Sequence, residues 1–363
     1  MLYTVNPTLE IKDISFEENC SIFDHYHKNN ISITVADLAL LCDANWPVSY
    51  KKLLEISNDF IDGNESEVIN TVNNLINSKL IVIDTEDYVQ AANYWINNGW
   101  AGSLFYHLSS QQMEHWDDVH HKNDDLEKLE NEFEDRYTKD EITWHKNELK
   151  YTRPSIESYV LKKELIENGK SFDHVVQNRS SFKPFTKNAI TLNEISHLLW
   201  ASNMLNHKNR VKCFEEIDNN PSLIRSSLFT PLEFYIYVRH SDNSLKCGLY
   251  HFNVHDFTLD LLPANDDFDQ KLVASCAGQS RSIEGSISIL ITAHIDRMMN
   301  RYQHPRAYRT LMVNIGEMAQ NFLMNATYLD KSYFISPAIL DKESSDLLEL
   351  ENSARCLYLI SVG

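Results

Sequence analysis

Residues 300–329 read NRYQHPRAYRTLMVNIGEMAQNFLMNATYL, and this stretch decides how the second half of the chain is read. From Thr310 onward the apolar residues Leu311, Ile315, Ala319, Phe322, Ala326 and Leu329 recur at the spacing of a helix with one buried face. Ahead of that helix stand Arg301, Arg306 and Arg309, interleaved with Tyr302 and Tyr308. Gly316 and the amide pair Gln320–Asn321 sit on the helix itself, where packing does not demand them. A helix start is already favourable to anions, so cations gathered there suit a small anionic ligand.

Working outward, LNEISHLLWASNML (residues 192–205) reads as an amphipathic helix. LEFYIYVRH, a polar Ser241-Asp242-Asn243 turn and CGLYHFN read as a β-hairpin. SISILITAHI reads as a buried strand and ARCLYLISVG as a final apolar strand. Interleaved strands and helices give an α+β or α/β domain of roughly 200 residues. There is no GxGxxG, no GxxxxGK[ST] and no GxSxG, so a bound phosphate must be held by side chains.

The first half differs. TVADLALLCD opens a helix with Thr34 as N-cap, and NESEVINTVNNLINS another with Asn64 as cap and Glu67 three residues on. KLIVID then reads as a strand. Helices followed by a strand outline a small winged-helix-like unit. No arginine follows the acidic start of its last helix, so a peptide- or partner-binding module or a structural appendage fits better than a DNA reader. His115, His120 and His121 match neither i,i+4 nor HExxH spacing and read as exposed histidines, with no metal site. Residues 124–141 read as a solvated acidic helix or linker. These readings divide the chain into a winged-helix-like domain at 1–90, an acidic helical connection at 91–165 and the large domain at 166–363.

Charge follows the same division. Residues 1–150 hold 11 Lys+Arg against 28 Asp+Glu, whereas 151–363 hold 22 against 24. The acidic half argues against nucleic acid, and the nearly neutral half leaves arginines available for a small anion. Six cysteines without CxxC or zinc spacing read as free buried thiols. No apolar run approaches the ~20 residues of a membrane span, and no secretory signal opens the chain. The expectation is a cytoplasmic protein that does not engage membranes.

Residues 177–185, QNRSSFKPF, place Arg179, Ser181 and Lys183 at alternate positions, which in an extended chain share one side. Guanidinium, hydroxyl and ammonium on one face suit a terminal phosphate; an ordinary basic turn would carry the same residues. Ser226 and Ser227 in RSSLFTPLEFY stand at a strand entrance, where they could donate to a ligand or close a turn.

In order along the chain, RxSxK at 179–183, SS…PLEFY at 226–235, GLYHF at 248–252, RY…YR at 301–309, GEMAQN at 316–321 and the ending from Phe334 to Gly363 resemble the flavin-dependent nitroreductase superfamily. The likeness is to its SagB-type azoline dehydrogenases. It covers about residues 170–363, and the front part also looks like that of longer members. The resemblance implies a nitroreductase-like α+β fold, a homodimer and FMN at the subunit interface. It implies that Arg179, Ser180, Ser181 and Lys183 hold the FMN phosphate and ribityl chain, with Ser226 and Ser227 passing the flavin ring. Arg306 and Arg309 would complete the phosphate site, and Gln320 and Asn321 would lie on the supporting helix. It further implies a precursor peptide as substrate and a cyclodehydratase or other modification-complex subunits as partners.

The chain departs from the family at several points. Arg301-Tyr302 stands where members carry Lys-Tyr. Arginine stays protonated, so Tyr302 is the remaining catalytic base and Arg301 a positioning cation. Leu228 stands where glycines follow the serine pair, and Glu317 replaces a common histidine. Three expectations stay open: azoline oxidation, flavin chemistry on another peptide side chain or small molecule, or a flavin-free peptide-binding subunit.

Overall fold

The computed structural model describes residues 1–14, 19–44, 46–61, 63–111, 138–185, 189–221, 223, 230–264, 266–301 and 306–363. The chain forms two compact units, Met1–His115 and Trp116–Gly363. The expected connection at 91–165 is thus shared between them.

In the first unit, β1 (Leu2–Val5) lies between β5 (Val48–Ser49) and β6 (Ile81–Ile83). A second antiparallel sheet runs β2 (Leu9–Ile14), β3 (Asn19–Asp24), β4 (Asn29–Thr34). The helices are α1 (Val35–Asp43), α2 (Tyr50–Ser57), α3 (Glu65–Asn77), α4 (Asp87–Asn97) and α5 (Ala101–Gln111). Thr34 and Asn64 cap α1 and α3, and each closes a capping box, with Asp37 and Glu67 respectively. Leu40, Leu53, Val72 and Ile81 join Ile22 and Ile33 in one core. Fully buried Asp24 ties the strand ends, accepting from Asn6 Nδ2 and Thr8 Oγ1, both at 2.9 Å, and from the Tyr26 amide at 2.9 Å. The four strands before Val35 were not anticipated from the sequence: each is short, four to six residues, with few apolar residues.

The second unit contains α6 (Lys139–Leu149), β7 (Glu157–Val160), α7 (Phe172–Asn178), β8 (Phe182–Lys183), α8 (Leu192–Glu216), β9 (Leu232–Val238), β10 (Gly248–Asn253), β11 (Thr258–Leu262) and α9 (Phe268–Ser275). Then follow β12 (Ile287–His294), α10 (Ile295–Arg301), α11 (Ala307–Tyr328), β13 (Tyr333–Ser336), α12 (Asp341–Leu347) and β14 (Ala354–Val362). Its sheet is ordered β7-β11-β10-β9-β12-β14-β13-β8, and the pairings are antiparallel. That decides between the two classes left open: the domain is α+β. Ser241, Asp242 and Asn243 do turn between β9 and β10, with Asn243 in the left-handed region at φ 69°.

Alternation along β9 divides the core. Phe234, Ile236 and Val238 pack with Leu198 of α8 and Ile315, Phe322 and Ala326 of α11. Tyr235 faces the other way, with Leu272 of α9 and Leu348. Every residue of β12 is buried because both faces of the central sheet are covered. Among the cysteines, Cys20, Cys213, Cys276 and Cys356 are buried, but Cys42 and Cys247 are exposed, which corrects the expectation that all six are interior.

Candidate functional site

The turn at residues 179–183 is fixed by its backbone, with its cations half-buried. Ser171 caps α7, accepting from the His174 amide, and Arg179 ends that helix in an extended conformation. The Ser180 amide donates to Tyr333 Oη at 3.2 Å, and Ser180 Oγ donates to Phe182 O at 2.7 Å. The Thr327 hydroxyl also donates to Tyr333 Oη, at 3.0 Å. Burial raises the Tyr333 pKa, but these two donors outweigh it and leave the phenol below its ordinary value. Phe182 and Lys183 pair with β13 as β8. A bend at Ser181 interrupts the extended run expected from Arg179 to Lys183, so the strict alternation holds only at its end.

Among the described residues, the Arg179 and Ser181 side chains make no hydrogen bond or ion pair. Lys183 Nζ donates to the Asp330 carbonyl at 3.3 Å. Guanidinium, hydroxyl and ammonium therefore remain available at a turn whose backbone is anchored to β13 and the end of α11, which fits a phosphate-bearing cofactor. Between α7 and α11 lies a cavity of about 340 Å³ lined by Lys170, Phe172, Val175, Asn321, Met324 and Tyr328, none of them part of the turn.

The other expected residues are placed differently. Asn321 lines that cavity, and Gln320 is exposed one position earlier on α11. Arg306 and Arg309 stand at the start of α11, a helix of 22 residues, whereas the 179–183 turn is tied to Thr327 near its end. At ~1.5 Å per residue the two cationic groups are about 27 Å apart along the helix axis within one protomer. The fold holds Arg179, Ser180, Ser181 and Lys183 in one turn, sets Asn321 in the cavity between α7 and α11, and keeps Arg306 and Arg309 at the other end of α11 from the turn's anchor. Ser226, Ser227 and Tyr302 lie outside the described residues, as do His115, His120 and His121; Arg301 is the last residue of α10. A Cβ on Gly316 would meet nothing within 4 Å, so packing within this chain does not demand that glycine.

Sequence reading missed a second constellation, buried where β9, β10 and β12 meet the start of α10. Glu233 Oε1 binds Arg210 Nη1 at 2.8 Å and Arg297 Nη1 at 2.6 Å, and Arg297 Nε binds Glu148 Oε2 at 2.6 Å. Arg210 Nη2 donates to Leu232 O at 2.6 Å. His251 Nε2 lies 3.6 Å from Glu233, and His294 Nδ1 lies 3.5 Å from Glu148. Tyr151 packs edge-on against both imidazoles.

Burial opposes ionisation of Glu233, but Arg210 and Arg297 outweigh it and hold its carboxyl far below the usual range. Burial pushes Glu148 up despite Arg297, and pushes His294 down to about 3. The chemistry of this cluster is structural: Arg297, fully buried on α10, clamps to the sheet the helix that ends in Arg301. A glutamate inside the apolar run LEFYIYV was the available signal, since a carboxylate is buried in a strand only with partners.

Comparison with known proteins completes the picture. The sequence pattern of the nitroreductase family matches residues 176–363, more than half of the chain and nearly all of the second unit's sheet. The chain belongs to the nitroreductase family. Members of this oxidoreductase family typically bind flavin, and the SagB-type resemblance within it is borne out. The chain is 27% identical over 328 residues to trifolitoxin operon protein TfxC of Rhizobium leguminosarum bv. trifolii, covering 88% of each. It is 30% identical over 101 residues, 27% of each chain, to the trifolitoxin-processing protein TfxB of the same organism.

Solved structures similar to the chain include a protein described as a nitroreductase from Anabaena variabilis, at TM-score 0.46 and 18% identity. That match covers 57% of this chain and 41% of the other. The microcin synthetase McbBCD complex of E. coli matches at TM-score 0.37 and 15% identity, over 64% of this chain and 85% of the other. No helix among the described residues is long and apolar enough to cross a membrane.

Proposed function

We propose that this nitroreductase-family chain is an FMN-dependent oxidoreductase that oxidises azoline rings to azoles in a ribosomally synthesised peptide. The observation that carries the reading is the 179–183 turn: its backbone is held by Tyr333 and β13, while Arg179, Ser181 and Lys183 keep their polar groups available for a phosphate. Similarity to a trifolitoxin operon protein along 88% of the chain supports a peptide substrate, and we take other modification subunits, a cyclodehydratase among them, as its partners.

FMN would supply the hydride acceptor; the chain supplies binding, orientation and proton management. Arg179 and Lys183 would neutralise the phosphate dianion, with the Ser180 and Ser181 segment along the ribityl chain and Ser226 and Ser227 at the ring. Asn321 would add an amide from the cavity side, with Gln320 beside it. Tyr302 would accept the carbon-bound proton, because Arg301 cannot give up its own proton to become a base. Arg301, on the helix clamped by Arg297, orients a carbonyl or anionic group of the substrate.

A homodimer suits this arrangement. Met312 and Val313 of α11 are exposed, Val313 at 58%, and the open space at Gly316 adjoins them on the helix. Arg306 and Arg309 at the far end of α11 are then best placed to serve the site of the second copy.

The test pairs two variants. Arg179→Ala with Lys183→Ala should release FMN from a folded protein, and retention of bound flavin by that double variant removes the phosphate assignment. Tyr302→Phe should keep flavin and lose turnover; undiminished turnover would move the proton elsewhere. The departures at Leu228 and Glu317 favour one second reading, a flavin-free peptide-binding subunit, which predicts a colourless protein that still binds peptide.

A further inference from the structure

On the face of the large sheet opposite α8 and α11, a cavity of about 210 Å³ opens between β10, β11 and the end of α12. Leu249, Leu262 and Leu348, all buried, form its apolar walls, and Arg153 and Glu349 add one charge of each sign. The cavity is remote from the turn at residues 179–183. β11 and β8 are six places apart in the sheet, about 29 Å at ~4.8 Å per strand.

Arg153 is held in place without being neutralised. Its Nη1 donates to Tyr235 Oη at 3.0 Å and to Leu348 O at 3.2 Å, with Tyr151 beside it. A guanidinium has five N–H donors, so these bonds fix the group and leave donors for an anion. Among the described residues, neither Arg153 nor Glu349 forms an ion pair, with each other or with a third residue.

Glu349 stands where the backbone favours a different residue. α12 closes with bonds from the Glu349 amide to Asp346 O and from the Leu350 amide to Ser345 O, both at 3.0 Å. This is the Schellman pattern, whose left-handed position is usually glycine. Glu349 occupies that position at φ 51°, and the closure uses only its backbone. Its carboxylate contributes nothing to the motif, and an outlier of this kind beside a cavity points to function.

We infer that this cavity binds a small apolar α-amino acid. The carboxylate meets Arg153, the ammonium meets Glu349, and the side chain enters the space between Leu249, Leu262 and Leu348. Opposite charges that line one cavity without pairing suit a ligand that carries both signs, and an α-amino acid carries them on one carbon. Size agrees. An apolar cavity of ~150 Å³ suffices for benzene and drug-sized ligands take ~300–1,000 Å³, so 210 Å³ suits a ligand of leucine size and excludes a nucleotide. A peptide C-terminus would offer the carboxylate alone.

The experiment is isothermal titration calorimetry of the full chain with L-leucine and three analogues. Isocaproate lacks the ammonium, isoamylamine lacks the carboxylate, and N-acetyl-leucine mimics a peptide C-terminus. Leucine should bind and raise the melting temperature by mass action. Each analogue should bind about tenfold or more weakly, because each lacks a charge-assisted contact. Glu349→Gly should reduce leucine to the affinity of isocaproate and leave isocaproate unchanged. Its melting temperature should be equal or higher, since glycine suits the left-handed position. Arg153→Lys, which keeps the charge but loses the planar fork, should weaken leucine and isocaproate alike.

Neither heat nor a rise in melting temperature with millimolar leucine would overturn the inference. So would equal affinity for leucine and isocaproate, or full leucine affinity in Glu349→Gly. N-acetyl-leucine binding as tightly as leucine would overturn it in favour of a peptide C-terminus. The site does not rest on the flavin reading, and each outcome stands whether the purified chain is yellow or colourless.

Discussion

Two groups of charge in the second unit are built on opposite rules. Around Glu233, two arginines and two carboxylates are inside the protein and bind one another at 2.6–2.8 Å. At residues 179–183, two half-buried cations stand on a turn anchored through backbone and a phenol; among the described residues Arg179 makes no bond, and Lys183 makes a single one, to the Asp330 carbonyl. The difference shows what each is for. Desolvated charge is tolerable only when satisfied from within, so the Glu233 cluster holds the fold. Cations left unsatisfied by the protein at a rigid turn are available to a ligand.

The comparison can be broken by exchanging the consequences. Glu233→Gln leaves Arg210 and Arg297 buried without their carboxylate, and chemical denaturation should show a loss of ~3–5 kcal/mol. A loss below about 1 kcal/mol would mean the cluster is dispensable. Arg179→Ala should leave stability within about 0.5 kcal/mol and weaken flavin retention by roughly tenfold or more, since a charge-assisted hydrogen bond contributes ~1.5–3 kcal/mol. If Arg179→Ala melted the protein as Glu233→Gln does, the distinction would fail.

Acid sharpens the same contrast. Burial pushes His294 down to about 3 and His145 down to about 4, against ~6.5 in an unfolded chain. Groups with depressed folded values contribute stability that is full above pH ~6.5 and lost as pH falls toward 4 and then 3. Unfolding free energy should therefore decline over that interval, and His294→Gln should flatten the slope. A slope unchanged by that variant would exclude His294 as its source. The smallest effect concerns the anchor: Tyr333→Phe removes the acceptor of the Ser180 amide and should cost ~1 kcal/mol, with faster exchange of that amide by NMR.

How much of this was legible beforehand depended on whether local pattern or distant pairing decided each element. Caps at Thr34 and Asn64, the long helix beyond Arg306 and the strands around Tyr235, Ile289 and Leu359 were readable because each announces itself within a few residues. The strands before Val35 were not: LEIKDI and NNISIT alternate over only two apolar residues each, Leu9/Ile11 and Ile31/Ile33, and they form because β3 pairs with both. The candidate site divides in the same way. The RxSxK turn was visible as residue types, but its bend at Ser181 and its anchoring by Tyr333, 153 positions away, needed the sheet. The separation of Arg306 and Arg309 from that turn follows only from helix length and from which end of α11 meets β13. Glu233 stood in plain view inside an apolar strand, yet its partners Arg210 and Arg297 come from elements that no local window joins.

The central claim is that the turn at residues 179–183 exists to hold a flavin phosphate. The most direct test is the visible absorbance spectrum of the purified chain, with any released cofactor identified by mass, alongside the Arg179→Ala, Lys183→Ala variant. The account predicts a yellow wild-type protein that yields FMN and a folded, colourless double variant. A wild-type protein that is colourless and takes up no added FMN, or a double variant as yellow as the wild type, would contradict it.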